Sequence, residues 1–174
     1  MITYYLQSLY LMVSERKDVK YPLWRKKMDT SMFEHKSTFI PHWVIDNVFC
    51  MREYYPYSSK KDPRSEIEIE YRHPSGRISR NIGWVITTRY ESGRNDITRL
   101  FISKEVRNYL IDDFIMTFHR SNERKFRNCS SSVIEMQIPF WEFLDIEYNS
   151  EDGVFIFTPH YIHPVKEVER FSYL

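Results

Sequence analysis

Cysteine is nearly absent from this chain: Cys50 and Cys129 are the only two, far apart and without a Cys-x-x-Cys partner. That spacing argues against a disulfide framework or a structural zinc site and leaves two buried free thiols as the expected state. Glycine is scarce too. Gly76, Gly83, Gly93 and Gly153 stand alone, so no phosphate-cradling loop, nucleophile elbow or dinucleotide fingerprint can be assembled from them, and HExxH is missing. No window approaches the roughly 18 apolar residues of a membrane span. The opening MITYYLQSLYLMV lacks the positive start and small-residue cleavage site of a secretory signal, so a cytoplasmic protein with no membrane partner is expected. A dominant charge is also lacking: 25 Lys and Arg against 24 Asp and Glu leave +1, which excludes a polycationic disordered tail. What the sequence has is 42% apolar and 17% aromatic residues in 174 positions, enough for one core. With no linker or low-complexity tract, a single domain over 1–174 is expected.

The near-neutral total hides an uneven distribution. Residues 16–36 carry seven basic side chains (Arg16, Lys17, Lys20, Arg25, Lys26, Lys27, Lys36) against Asp18, Asp29 and Glu34, an excess of +4. Residues 72–99 place six arginines against Glu91 and Asp96, while residues 133–174 set eight acids against Lys166 and Arg170, a local −6. The expectation is a fold that separates these charges in space. A cationic face on a neutral body suits a polyanion, because each neutralised phosphate releases counterions. Solvated loops balanced by acidic neighbours are the plainer alternative.

Strand patterns dominate. Tyr4 to Val13 is a β-rich run, and Ser65 to Tyr71 alternates Ile67, Ile69 and Tyr71 with Glu66, Glu68 and Glu70. His73-Pro74-Ser75-Gly76 is a turn, and Trp84 to Tyr90 returns. Further strands are expected at Asp113 to His119, Ser132 to Ile138, Phe143 to Tyr148 and Val154 to Thr158, with Asn149 to Gly153 turning between the last two. Two short helices interrupt them. Val44, Ile45, Val48 and Phe49 recur at helical spacing after Ile40-Pro41, and Ser103 is a natural N-cap for a helix burying Val106, Tyr109 and Leu110.

The order of these elements resembles a B3 DNA-binding domain. Trp24-Arg25-Lys26-Lys27, the polar loop Met28 to Ser31, and Ser37-Thr38-Phe39-Ile40-Pro41 before a helix are similar to that family's opening. Gly76, Trp84, Ile97-Thr98-Arg99-Leu100-Phe101 and the helix from Ser103 resemble its middle, so the likeness covers about residues 20–120. Arg94-Asn95-Asp96-Ile97-Thr98-Arg99 is similar to a stretch in the recognition (effector) domains of EcoRII-type restriction endonucleases. Asp112-Asp113 departs from the family's Gly-Asp, and residues 121–174 have no counterpart in the resemblance.

The resemblance implies a mainly β fold, a B3-type pseudobarrel built as an open seven-stranded barrel with two short helices closing its ends. It implies a monomer that reads a short specific site on double-stranded DNA with two arms, residues 25–38 and 89–99, in one major groove. Each base pair shows a distinct donor and acceptor pattern there, which arginine forks, amides and carboxylates can match. Arg25, Lys27, Asp29, Thr30, Arg89, Glu91, Arg94, Asn95, Asp96 and Arg99 are the expected base readers. Lys17, Lys20, Lys26, Ser31, Lys36, Arg77, Arg80 and Thr98 are the expected phosphate contacts. No cofactor is needed for binding, and Mg²⁺ enters only with an attached nuclease domain.

Two other classes stay open. Asp62, Glu66, Glu68 and Glu70 could converge on Mg²⁺ in a compact nuclease, although Arg72 stands where such sites use lysine and a solvated strand face is the simpler reading. A protein-interaction module with paired charged faces is the other. His160 and His163 are bracketed by Pro159 and Pro164, which disfavours a helical metal pair, and Tyr54, Tyr55 and Tyr57 read as packing residues rather than a stacking platform.

Overall fold

The computed structural model describes residues 18–51, 64–88, 97–119, 122 and 141–162. Their apolar positions alternate, and the strands join one seven-stranded mixed sheet curled into a half-barrel with a few short helices. The strands are β1 (Leu23–Lys27), β2 (Ser37–Ile40), β3 (Arg64–Arg72), β4 (Ile78–Thr88), β5 (Ile97–Ile102), β6 (Trp141–Asn149) and β7 (Val154–Ile162). They lie in the order β1-β6-β7-β3-β4-β5-β2, with β3 and β7 parallel and every other pair antiparallel. Among the described residues no helix is long and apolar enough to cross a membrane.

The inner face is the core. Ile69, Tyr71, Val85, Leu100, Leu144, Ile146, Phe155 and Phe157 all point into it at 0% exposure. Three helices fill the hollow: α1 (Ser31–Glu34), α2 (Val44–Phe49) and α3 (Lys104–Asp113). The π-wound α2 drives Phe49 between Trp24, Tyr148 and Phe155, with ring centroids 6.5, 5.6 and 5.9 Å away. Ser103 caps α3 by accepting from the Val106 amide at 3.3 Å. At the other end of α3 the Tyr71 hydroxyl donates to Asp113 Oδ2 at 2.8 Å, and the Tyr161 hydroxyl to the Asp113 carbonyl at 2.6 Å. Burial first, and then this carboxylate, push the Tyr71 hydroxyl's pKa up, so it remains a donor.

The expected strands at 65–71, 143–148 and 154–158 and the turns at 73–76 and 149–153 are present, and β4 starts earlier than expected, at Ile78. Asp113 to His119 is not a strand: α3 runs to Asp113 and residues 115–119 are helical. Phe114, Met116 and Phe118 alternate, but Leu110, Phe114 and Phe118 also recur at four-residue spacing, and that period places Leu110 and Phe114 at 0% exposure. Glu142 of β6 holds this segment by accepting from the Thr117 amide at 3.1 Å and its hydroxyl at 2.5 Å. Cys50 is exposed rather than buried, because it ends α2 in the left-handed region (φ +52) with its side chain outward. The expected strands at 4–13 and 132–138, and Cys129, lie outside the described residues.

Gly83 marks the tightest approach between β3, β4 and β5. A Cβ there would lie 2.5 Å from Ile69 Cδ1 and 2.7 Å from the Phe101 carbonyl oxygen, and the backbone atom cannot yield. Gly83→Ala should therefore cost about 1–3 kcal/mol. The check is a lowered urea midpoint at unchanged slope.

Candidate functional site

The first arm grows from β1, an edge strand. Arg25 projects to the outer sheet face, where its Nε and Nη2 donate to Asp145 Oδ1 and Oδ2 of β6 at 2.6 and 2.9 Å. The two side chains are 7% and 0% exposed. Next to Asp145 on that face, Glu147 is also at 0% exposure, and its Oε2 accepts from the Lys20 and Tyr21 amides at 3.1 and 3.3 Å. The basic N-terminal run and the acidic C-terminal third thus interlock inside the protein instead of being kept apart.

Beyond β1 the arm is a folded turn. Lys26, buried, donates to Asp29 Oδ2, and Asp29 Oδ1 accepts from the Ser31 hydroxyl and, at 2.9 Å, from the Ser31 amide. Burial alone would raise the Asp29 pKa, but the Lys26 charge and the hydrogen bonds from Lys26 and Ser31 outweigh it and hold the carboxyl below its ordinary value. Met28, Met32 and Phe33 face the core at 1%, 0% and 2% exposure, and Arg107 of α3 donates to the Phe33 carbonyl at 2.6 Å. His35 and Lys36 end the arm on its exposed side, Lys36 in the left-handed region at φ +51. That region favours glycine, so a lysine here stores local strain.

The second arm joins β4 to β5. Arg89, Glu91, Arg94, Asn95 and Asp96 lie outside the described residues, as does Lys17, while Thr88 and Ile97 at the arm's roots are paired with each other. Register fixes how the arms relate. Ser37 opposes Phe101 and Ile40 opposes Thr98, so the first arm ends at one end of β2 and the second arm's roots stand at the other. The end of the first arm and the roots of the second therefore stand at opposite ends of a four-residue strand.

The expected contact residues divide accordingly. Arg99 is on the outer face of β5, between Phe39 of β2 and Ile86 of β4. Lys20, Lys27, Lys36, Arg77 and Arg80 are exposed, and Thr30 is half-buried at the start of α1. Arg77 also lies over the Tyr109 ring, 5.7 Å from its centroid, and beside His73 Nε2 at 3.2 Å. Arg25 and Lys26 are turned into ion pairs, Asp29 and Ser31 into the arm's own turn, and Thr98 into the interior at 4% exposure, where its hydroxyl meets that of Thr87 at 3.0 Å.

The carboxylates of the nuclease alternative face arginines. Glu68 lies 3.5 Å from Arg80, and Glu70 lies 3.0 Å from Arg72 and 3.6 Å from Arg80. Among the described residues no group of three or more His, Cys, Asp and Glu side chains is placed to hold a metal ion, and Asp62 and His163 lie outside them. Sequence reasoning missed Asp145 and Glu147 as partners of the basic N-terminal run. Their signal is parity: Asp145 and Glu147 are two apart on a strand, hence on one face. Comparison with protein-family models, curated proteins and solved structures finds no match.

Two outcomes follow from this geometry. Asp145→Ala, which strands the Arg25 guanidinium, should cost about 3–5 kcal/mol in denaturant unfolding. The Asp29 turn should loosen only in acid. Its folded pKa is depressed, so its contribution is complete above the ordinary value near 3.8 and is lost as pH falls through the lower folded value. Ser31 amide protection factors should hold above that range and drop below it, and a drop starting near neutrality would count against the assignment.

Proposed function

We propose that the chain is a B3-type pseudobarrel that binds double-stranded DNA sequence-specifically, as the recognition or effector portion of a restriction endonuclease of the EcoRII type. The observation that carries this reading is that the first arm's end and the second arm's roots stand at the two ends of β2. Four extended residues span about 13 Å, and the major groove of B-DNA is about 12 Å wide and admits a two-stranded β-ribbon. Strands β2 and β5 form such a ribbon at the sheet edge, with Lys36 at one end and Arg99 on its outer face. Seven strands with helices against the hollow also fit the pseudobarrel likeness.

In this reading Arg99 presents its fork to a guanine O6 and N7, joined by the second arm's Arg94, Asn95 and Asp96. Lys20, Lys27, Lys36, Arg77 and Arg80 meet phosphates, orienting the duplex without specifying sequence. Arg25, Lys26 and Asp29 serve by fixing the first arm. A rigid arm loses less freedom on binding, which favours affinity and a single register. Binding needs no cofactor; Mg²⁺ belongs to a nuclease domain joined to this one.

Selection of duplexes from a randomised pool, followed by titration at two salt concentrations, tests the proposal. Affinity should fall by orders of magnitude between low and moderate salt. Arg99→Ala should cost about 1–3 kcal/mol on the selected duplex and relax base preference at one position. Lys36→Gly, which removes the charge at a backbone position that favours glycine, should weaken all duplexes alike and lower the salt slope by about 1. Equal losses on selected and random duplexes for Arg99→Ala would remove its base-reading role, and no duplex binding at low salt would end the proposal.

A further inference from the structure

Strand β2 sets its largest side chain on the outer face, with Thr38 and Ile40 toward the core. Ser37, Thr38 and Ile40 are buried at 6%, 3% and 0% exposure, while Phe39, the largest side chain of the strand, stands outward at 44%. A strand that served only the core would place its aromatic residue inward and Thr38 outward. The register sets Phe39 directly opposite Arg99, so an exposed aromatic ring and a guanidinium-bearing side chain are cross-strand neighbours on the face between the first arm's end and the second arm's roots.

Resting on the duplex reading above, we infer that Phe39 contacts the 5-methyl group of a pyrimidine, thymine or 5-methylcytosine, at a base pair next to the one whose guanine Arg99 reads. The chemistry of the groove selects this occupant. The major-groove edges of the bases are hydrogen-bonding groups except for one apolar feature, the methyl on C5 of thymine, and phenylalanine is among the side chains that meet it. 5-Methylcytosine carries the same methyl at the same ring position, so the contact cannot distinguish the two by the methyl alone. Directly opposed side chains on neighbouring strands root about 5 Å apart. Successive bases of a strand rise 3.4 Å along the axis. Phe39 and Arg99 are therefore spaced to address adjacent base pairs, and the step they would read is a 5-methylated pyrimidine beside a guanine. Stacking of the ring on an unpaired base is the competing use of an exposed aromatic. A ribbon edge with the first arm at one end and the second arm's roots at the other, about a groove width apart, favours the paired duplex.

The experiment starts from the duplex that the intact protein selects out of a randomised pool. Affinity is measured by fluorescence anisotropy on that duplex, on copies with single thymines replaced by deoxyuridine, and on copies with single cytosines replaced by 5-methylcytosine. Removing or adding the methyl at one position should change affinity about three- to tenfold, the scale of one apolar methyl leaving water. Phe39→Ala should abolish that difference while keeping the salt dependence, and Phe39→Leu, still apolar, should retain part of it. Phe39 is exposed, and an unchanged thermal midpoint confirms that the variants fold. The inference is overturned if no methyl change alters affinity, if Phe39→Ala still discriminates, or if single strands bind more tightly than the duplex in a Phe39-dependent way. A protein that selects and binds a duplex but ignores every methyl would lose this inference alone, whereas one that binds no duplex would lose the reading beneath it.

Discussion

A buried ion pair sets the frame of this molecule. Arg25 and Asp145 join β1 to β6 on the outer sheet face, both nearly excluded from water. Desolvating two charges costs several kcal/mol per ion, and only good geometry offsets it. The two parallel hydrogen bonds, 2.6 and 2.9 Å long, supply that geometry. The pair also fixes register. A slip of β1 by one residue would carry Arg25 to the core face and Trp24, which packs on Phe49, out of it. Everything that follows β1 inherits this position: the Lys26–Asp29–Ser31 turn, the buried Met28, Met32 and Phe33, and the exposed Lys36 at the start of β2.

Charge arithmetic along the chain misleads for the same reason. The acidic C-terminal third reads as a surface that must stay away from the basic runs, yet its strand residues Asp145 and Glu147 are buried against the basic N-terminal segment. Two acids are withdrawn from the surface, along with Arg25 and Lys26. The expected contact cations that remain exposed among the described residues, Lys20, Lys27, Lys36, Arg77 and Arg80, are scattered through the sequence. Which cations stay exposed is set by tertiary pairing, which removes particular charges, and block counts cannot foresee which ones.

How much was legible depended on whether local pattern and tertiary role agreed. In β3, with Ile67, Ile69 and Tyr71 against three glutamates, one face is core and the other solvent, so alternation identifies it. Strand β7 and the turns at 73–76 and 149–153 were equally plain, since Gly76 and Gly153 take positive φ there. Residues 113–119 satisfied two periods at once, and only the packing of Phe114 and the Glu142–Thr117 bonds selects the helical one. Of the candidate site, Lys36 could be placed from sequence as an exposed cation and Arg99 as a half-buried one on the outer face. The burial of Arg25, Lys26 and Thr98 could not, because it depends on partners as many as 120 residues away.

Strand β2 was the least legible element, and the reason bears on function. Its outer face carries a phenylalanine at 44% exposure, while a hydroxyl, Thr38, sits beside Ile40 on the core face. Folding alone gives no reason for that arrangement: exposing the ring forgoes hydrophobic stabilisation, and burying Thr38 adds a polar group that needs a partner. Natural sequences tend to break local rules where another demand is stronger than stability. Here the break falls between the first arm's end and the second arm's roots, opposite an arginine, beside a lysine held in the left-handed region. Three departures from the easiest fold, an outward aromatic, a strained cation and an edge strand only four residues long, coincide on one ribbon of the sheet. The proposed duplex contact accounts for that coincidence, which the packing of the core behind the ribbon does not require.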